Sequence, residues 1–118
     1  MKICTIKDLL GAEVICCEEN LQNDVNSACG SDMMSDVLAY VKDQAVLLTG
    51  LVNSQVIRTA EMMDMVCIVL VRSKMPTAEM IELARDGGIV LMSTKMRMYE
   101  ACGILYENGL GNKEKSYE

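Results

Sequence analysis

Small hydroxyl residues, glycines and a cation follow the apolar runs of this sequence, where a binding site could be built. Hydroxyl groups and glycine backbone amides hydrogen-bond phosphate or carboxylate oxygens, and a cation neutralises their charge. The same residue types also serve as helix caps and turn residues, so each loop alone is a weak indication. The candidate ligand-binding residues are Gly30, Ser31, Asp32, Thr49, Gly50, Asn53, Ser93, Thr94 and Lys95.

The residues of conventional catalysis are missing from the sequence. The chain contains no histidine, and its 6 cysteines include no C-x-x-C pair that would indicate zinc. It has no G-x-x-x-x-G-K-[ST] phosphate loop, no G-x-S-x-G elbow and no Ser-x-x-Lys pair. We therefore predict no enzymatic activity, no cofactor and no metal site. Asp32, Lys95 and Cys29 are the groups that an enzyme would have to use.

The cysteines are best interpreted as packing residues. Cys29 differs from most of them, because it stands in a polar stretch beside Gly30. Four others lie within apolar segments, where a free cysteine behaves as a small hydrophobic residue. These are Cys4, Cys16, Cys67 and Cys102.

The composition indicates one aliphatic core. The chain has 118 residues, 51% of them hydrophobic, with 11 Met and neither Phe nor Trp. Its net charge of −6 argues against nucleic acid, whose binding depends on Lys and Arg. The longest apolar run, Met65 to Val71, is far shorter than the about 20 residues of a membrane span, and Met1 to Leu10 lack a signal-peptide core. We therefore expect a cytoplasmic protein without a membrane or nucleic-acid partner.

Short apolar runs alternate with amphipathic segments along the chain. The runs do not alternate apolar with polar residues, which is typical of strands that are buried on both faces. The predicted strands are Ile3 to Cys4, Val14 to Cys17, Ala45 to Leu48, Val66 to Val71 and Ile89 to Met92. The polar stretch from Asn20 to Gly30 is predicted to be a loop.

The amphipathic segments have helical spacing. Thr5 and Asn53 are predicted N-caps of the first and third helices, and Pro76 fits the first turn of the fourth. The predicted helices are Thr5 to Leu10, Asp32 to Val41, Ser54 to Asp64, Pro76 to Asp86 and Met96 to Asn108.

These elements predict an α/β fold, namely a three-layer helix/sheet/helix sandwich around a mostly parallel sheet of about five strands. We expect residues 1–110 to form one domain and residues 111–118 to be a polar tail that frays. In such a sheet ligands usually bind beyond the carboxyl ends of the strands, where the candidate residues fall.

Three segments resemble the DRTGG-domain proteins, particularly the short stand-alone bacterial and archaeal members. The segments are Gly30 to Ala39, Leu47 to Met65 and Glu79 to Lys95, and the likeness extends over nearly the whole chain up to about Gly109. The resemblance implies an α/β sandwich related to the N-terminal domain of HPr kinase/phosphorylase. Relatives occur beside CBS domains in a regulated pyrophosphatase and in long phosphotransacetylases, where the module is regulatory or assembly-forming.

The sequence departs from the family at its signature. The acidic–basic pair and the Thr-Gly-Gly that name the family would align with Gln22-Asn23 and Asn26 to Ala28, which do not match. The segments Gly30 to Asp32 and Thr49-Gly50 do match. Some stand-alone relatives are labelled serine kinases or iron–sulfur hydrogenase proteins, but this chain has neither a phosphate loop nor cluster-type cysteine spacing.

Two functions of different classes follow. The leading hypothesis is a non-catalytic regulatory or scaffolding module, homodimeric, that acts through protein contacts and a small anionic ligand such as a nucleotide or phosphometabolite at the strand-end loops. Thr49, Gly50, Ser93 and Thr94 would build that site. The alternative is an iron–sulfur or redox accessory protein of a hydrogenase-type system, in which some of the cysteines bind the cluster.

Overall fold

The computed structural model of the protein describes residues 1–40 and 44–111, which fold into five α-helices and five β-strands. A short 3-10 turn, Glu18–Asn20, follows the first strand. The helices are α1 (Ile3–Leu10), α2 (Met34–Tyr40), α3 (Ser54–Met62), α4 (Ala78–Gly87) and α5 (Met98–Glu107). The strands are β1 (Glu13–Cys16), β2 (Ser27–Gly30), β3 (Ala45–Thr49), β4 (Cys67–Leu70) and β5 (Val90–Ser93).

The strands form one mostly parallel sheet in the order β1-β5-β4-β3-β2. Strands β2 to β5 are parallel neighbours in chain order, and β1 joins β5 antiparallel. Every residue of the three inner strands β3, β4 and β5 is buried, as uninterrupted apolar runs predict. The predicted mostly parallel sheet is therefore confirmed.

Helices cover both faces of the sheet. The connections from β2 through β5 all advance in one direction, so right-handed crossovers place α2, α3 and α4 on the same face. On the opposite face α5 packs on β2 and β3 and contacts α1. This arrangement confirms the three-layer sandwich, and its core is aliphatic and thioether, with Leu48, Ile68 and Met92 fully buried.

Two of the predicted elements are wrong. Ile3 and Cys4 belong to helix α1, whose buried residues Ile3, Ile6 and Leu10 recur at helical spacing, and Thr5 lies inside this helix rather than capping it. The predicted loop from Asn20 to Gly30 contains strand β2, which among the described strands neighbours β3 alone and is half exposed. An edge strand of this kind lacks the apolar run by which the inner strands are recognised.

The other helix boundaries agree with the predictions to within a few residues. Asn53 caps α3, since its Oδ1 accepts the Val56 amide at 3.3 Å. Helix α4 begins after Thr77, whose Oγ1 accepts the Met80 amide at 3.1 Å, and not at Pro76. Residues 41–43 and 112–118 lie outside the described residues, as do the last predicted residue of the second helix and most of the predicted tail. No described helix is long and apolar enough to cross a bilayer.

Candidate functional site

The carboxyl ends of β2, β3, β4 and β5 lie at one edge of the sheet, because these four strands are parallel. Helices α3, α4 and α5 begin at the same edge, and the positive ends of their dipoles add to its potential. All the candidate residues from the sequence stand at this edge or in the loops that leave it. We call this edge the rim.

Asp32 joins the loops that follow β2 and β3. Its Oδ1 accepts a hydrogen bond from the Thr49 hydroxyl at 3.0 Å and another from the Gly50 amide at 2.6 Å. The Thr49 hydroxyl in turn accepts the Leu51 amide at 3.1 Å. The segments Gly30 to Asp32 and Thr49-Gly50, which resemble the family in sequence, are thus brought together. The polar groups of Asp32 and Thr49 are already hydrogen-bonded to each other.

Arg72, in the loop that follows β4, lies over this junction. Its Nη2 is 3.8 Å from Asp32 Oδ2, and both side chains are 46% exposed. The guanidinium also lies against Gly50, since a Cβ at that position would come within 2.7 Å of Arg72 Cζ. Only glycine at position 50 leaves room for the guanidinium in this place.

The backbone at Arg72 ties the rim to the loop that follows β5. Arg72 and Ser73 have φ of 58° and 59°, a left-handed conformation that costs energy for residues other than glycine. In this turn the Arg72 amide donates to Met96 O at 2.8 Å and the Ser73 amide donates to Thr94 O at 2.9 Å. Arg72 therefore links the β5 loop through its backbone to Asp32 through its side chain.

These bonds also close the crevice in which an open α/β sheet usually binds its ligand. The loops after β4 and β5 leave toward opposite faces of the sheet, which defines the topological switch point. Here the two loops are joined directly, and Ser93 Oγ adds a hydrogen bond to Lys74 O at 2.7 Å. A ligand would therefore lie on top of the rim rather than between β4 and β5.

Several of the predicted site residues have internal roles in this structure. Thr94 Oγ1 donates to Leu10 O at 2.7 Å and accepts the Met96 amide at 3.2 Å. Gly30 allows α5 to approach β2, because a Cβ there would lie 2.6 Å from Cys102 Sγ. Ser31 Oγ accepts the Met33 amide at 3.0 Å in the turn before α2. Asn53 caps α3 through its side-chain oxygen.

Four cations remain exposed on the two joined loops. They are Arg72, Lys74, Lys95 and Arg97, out of 11 Lys and Arg residues in a chain of net charge −6. Residues 71–78 and 93–99 contain no acidic residue. We call this cluster the basic rim, and sequence reasoning missed two of its members, Lys74 and Arg97. The signal that would have found them is two successive strand-end loops with cations and no acids.

The cysteines do not gather into a site. No group of three or more His, Cys, Asp or Glu side chains in the described residues is placed to hold a metal ion. Burial raises the pKa of the Cys67 thiol, and desolvation with the neighbouring Cys16 raises the pKa of Cys17 to about 11. Desolvation also raises the pKa of Cys29 and Cys102. These four cysteines are therefore thiols at neutral pH and weak nucleophiles.

Comparison with known proteins identifies the family. The family model described as "DRTGG domain" matches residues 5–107, which is most of the chain. This chain belongs to the DRTGG domain family. The search of the curated proteins gave no match.

The fold of this DRTGG domain is similar to that of a solved regulatory protein. The crystal structure of the CBS and DRTGG domains of the regulatory region of Clostridium perfringens pyrophosphatase, complexed with the activator diadenosine tetraphosphate, superposes with a TM-score of 0.70 at 17% identity. The match covers 88% of this chain and 45% of the other, so this chain spans less than half the length of that structure. Identity this low establishes the shared fold only.

Proposed function

We propose that this DRTGG domain is a non-catalytic regulatory module that binds a small phosphorylated ligand, such as a nucleotide or phosphometabolite, on its basic rim. The observation that carries the proposal is the placement of Arg72, Lys74, Lys95 and Arg97 on two joined loops without an acidic residue. In an acidic protein such clustering opposes the general repulsion of anions. The guanidinium of Arg72 offers paired N–H donors to phosphate oxygens.

The strained turn at Arg72 and Ser73 supports a binding role. Two consecutive residues other than glycine in the left-handed region cost about 1–3 kcal/mol each, and such strain concentrates at binding sites. This turn sets the position of Arg72 over Gly50. A phosphate on the rim would compete with Asp32 for the guanidinium, so ligand binding would be coupled to the loop before α2.

The regulatory role draws on the relative in the comparison. The pyrophosphatase structure pairs CBS and DRTGG domains in a regulatory region and contains a dinucleotide activator. The present chain has no histidine and no nucleophile motif, which fits a regulatory rather than a catalytic part. The iron–sulfur alternative has no cluster ligand set among the described residues.

Isothermal titration of the full chain tests the ligand. The probes are inorganic tripolyphosphate, ATP and diadenosine tetraphosphate, with sodium sulfate as a control for a simple anion. We expect saturable heat from at least one phosphate compound, with affinity that falls in Lys95→Gln and Arg72→Gln. Gly50→Ala should lower affinity as well, because the new methyl displaces the guanidinium while the flexible Arg72 side chain relieves the clash.

The matched control is Arg85→Gln. Arg85 is exposed in the last turn of α4, at the end of the helix away from the rim, and the substitution removes the same charge. Its affinity should equal that of the wild type. Absence of saturable heat from every phosphate compound, or equal losses in Arg85→Gln and Arg72→Gln, would overturn the ligand proposal.

Self-association as a two-fold homodimer stays a prediction. It draws on large hydrophobic side chains at the surface, Met33, Leu38, Met62 and Met75, which are exposed in the single chain. Sedimentation equilibrium from micromolar to millimolar concentration measures it directly. A single mass of 13.0 kDa throughout would contradict the prediction.

A further inference from the structure

A groove runs between the edge strand β2 and helix α5, on the face of the sheet that also carries α1. Its volume is about 780 Å³, within the range of sites that enclose a ligand or a peptide side chain. The side of β2 supplies Ala28 and Gly30, and α5 and its continuation supply Tyr99, Gly103, Tyr106 and Leu110. The rim proposal uses none of these residues.

Strand β2 offers main-chain hydrogen bonds along this groove. It is the last strand of the sheet and pairs only with β3 among the described strands, so no described strand covers its outer edge. Such an edge is a template for another extended chain. Ser27 also lines the groove, and its buried Oγ has no hydrogen-bond partner among the described residues. An incoming backbone amide or carbonyl would satisfy this hydroxyl after a rotation about χ1.

Helix α5 presents an aromatic stripe to the same groove. Tyr99, Gly103 and Tyr106 follow one another at helical spacing, and the two tyrosines are 91% and 60% exposed. Gly103 is inside the helix, yet a Cβ there would meet nothing within 4 Å. The fold does not require glycine at this position, but glycine keeps the space above the helix backbone open between the two rings.

The charge of the groove selects among possible occupants. Among the described residues, the lining includes the exposed carboxylate of Glu100 and no Lys or Arg. A second copy docked here would bring two Glu100 carboxylates together, which is unfavourable. A segment with lysine or arginine is complementary instead, because its cations meet the Glu100 carboxylate and the faces of the exposed tyrosines.

We propose that this groove binds an extended segment of a partner protein that carries lysine or arginine, and that this segment adds a strand to the free edge of β2. Backbone pairing with β2 supplies affinity that does not depend on sequence, as in other strand-addition complexes. Alternate side chains face the groove, where Tyr99, Tyr106 and Glu100 select cationic and apolar residues. The site is separate from the basic rim and stands whether or not the rim binds phosphate.

Selection from a random linear 12-residue peptide library against the full chain tests this proposal. We expect enrichment of peptides with Lys or Arg at alternate positions. In two-dimensional NMR spectra their binding should shift the amides of Ser27 to Gly30 and of α5. Glu100→Gln should weaken the selected peptides by about two- to fivefold, the range of an exposed ion pair. Gly103→Arg, which fills the groove, should weaken them by at least about tenfold.

Two variants serve as controls. Gly103→Ala adds only one methyl group and should keep at least half of the affinity, and Glu82→Gln removes an exposed charge from α4 on the other face of the sheet. Circular dichroism melts verify that every variant is folded. The proposal is overturned if no peptide is enriched, if the enriched peptides are acidic or bind Gly103→Arg as well as wild type, or if β2 of the unliganded protein is already paired with a second copy.

Discussion

At the scale of single residues, Asp32 connects three parts of the rim. One oxygen accepts from Thr49 and Gly50, and the other lies 3.8 Å from Arg72. Removing the carboxylate would leave the buried Thr49 hydroxyl and the Gly50 amide without their acceptor, whereas the ion pair is half exposed and contributes little. The hydrogen bonds therefore matter more for stability than the charge.

We expect Asp32→Ala to lower the free energy of unfolding by about 1–3 kcal/mol. Asp32→Asn keeps an oxygen acceptor toward Thr49 and Gly50, and we expect it to cost at most about 1 kcal/mol. Urea unfolding followed by circular dichroism measures both values. Equal losses in the two variants would mean that the charge, and not the hydrogen-bond acceptor, stabilises the junction.

At the scale of elements, α5 contains a glycine that its own packing does not need. Gly103 lies in the helix interior and is exposed, so alanine there should raise the free energy of unfolding by about 0.5–1 kcal/mol through helix propensity alone. Thermal or urea unfolding of Gly103→Ala measures the gain. A loss of stability would show that the space above Gly103 is already occupied in the native molecule.

The elements also show what sequence patterns can predict. The buried strands β3, β4 and β5 were predictable because each is an uninterrupted apolar run, and the Asn53 cap was predictable from residue type and position. Strand β2 was missed because its residues alternate between half-buried and exposed, and its pairing with β3 depends on tertiary structure. Helix α1 was misread at Ile3-Cys4, where two apolar residues do not distinguish helix from strand.

The candidate site was predictable in its location but not in its composition. Strand-end loops of a parallel sheet converge by topology, so the sequence could place the rim. It could not show that the Ser93 and Thr94 hydroxyls would donate hydrogen bonds to the carbonyls of Lys74 and Leu10, because each pair is distant in sequence. The contact of Arg72 with Gly50 could not be predicted either, because it arises from a left-handed turn that the residue type does not favour.

At the scale of the whole molecule, the buried thiols make the free energy of unfolding depend on pH in the alkaline range. A cysteine has an ordinary pKa of 9.0, while burial raises the pKa of Cys67 and raises that of Cys17 to about 11. Above pH 9 the unfolded chain releases thiol protons that the native protein retains. This stabilising contribution is fully present below pH 9 and decreases as the pH rises toward the native pKa values.

We therefore expect the free energy of unfolding to fall between pH 9 and 11, with each retained proton contributing a slope of up to about 1.4 kcal/mol per pH unit. Cys67→Val removes one such proton and should make the decline shallower, which isolates the contribution of this thiol. Urea unfolding at pH 8 and pH 10.5 gives the comparison. Identical slopes in the variant and the wild type would exclude Cys67 as a contributor.

The molecule carries the basic rim on an otherwise acidic protein. Salt should therefore screen both the attraction of anions by the rim and their repulsion by the net negative charge, but to different extents. An approaching phosphate compound is repelled by the net charge of −6 at long range and attracted by Arg72, Lys74, Lys95 and Arg97 at contact. The screening length is about 10 Å at 0.1 M salt. For the proposed ligand we expect the attraction to dominate the affinity, because it acts over shorter distances.

We expect the affinity for tripolyphosphate to fall by about five- to tenfold between 20 and 200 mM NaCl, since each lost contact ion pair is worth up to about 1 kcal/mol. Lys74→Gln should bind more weakly at low salt and depend less on salt, because it removes one of the cations that salt screens. Titrations at four salt concentrations measure both slopes. Affinity that rises with salt would mean that repulsion by the acidic body, rather than attraction by the rim, controls the binding of anions.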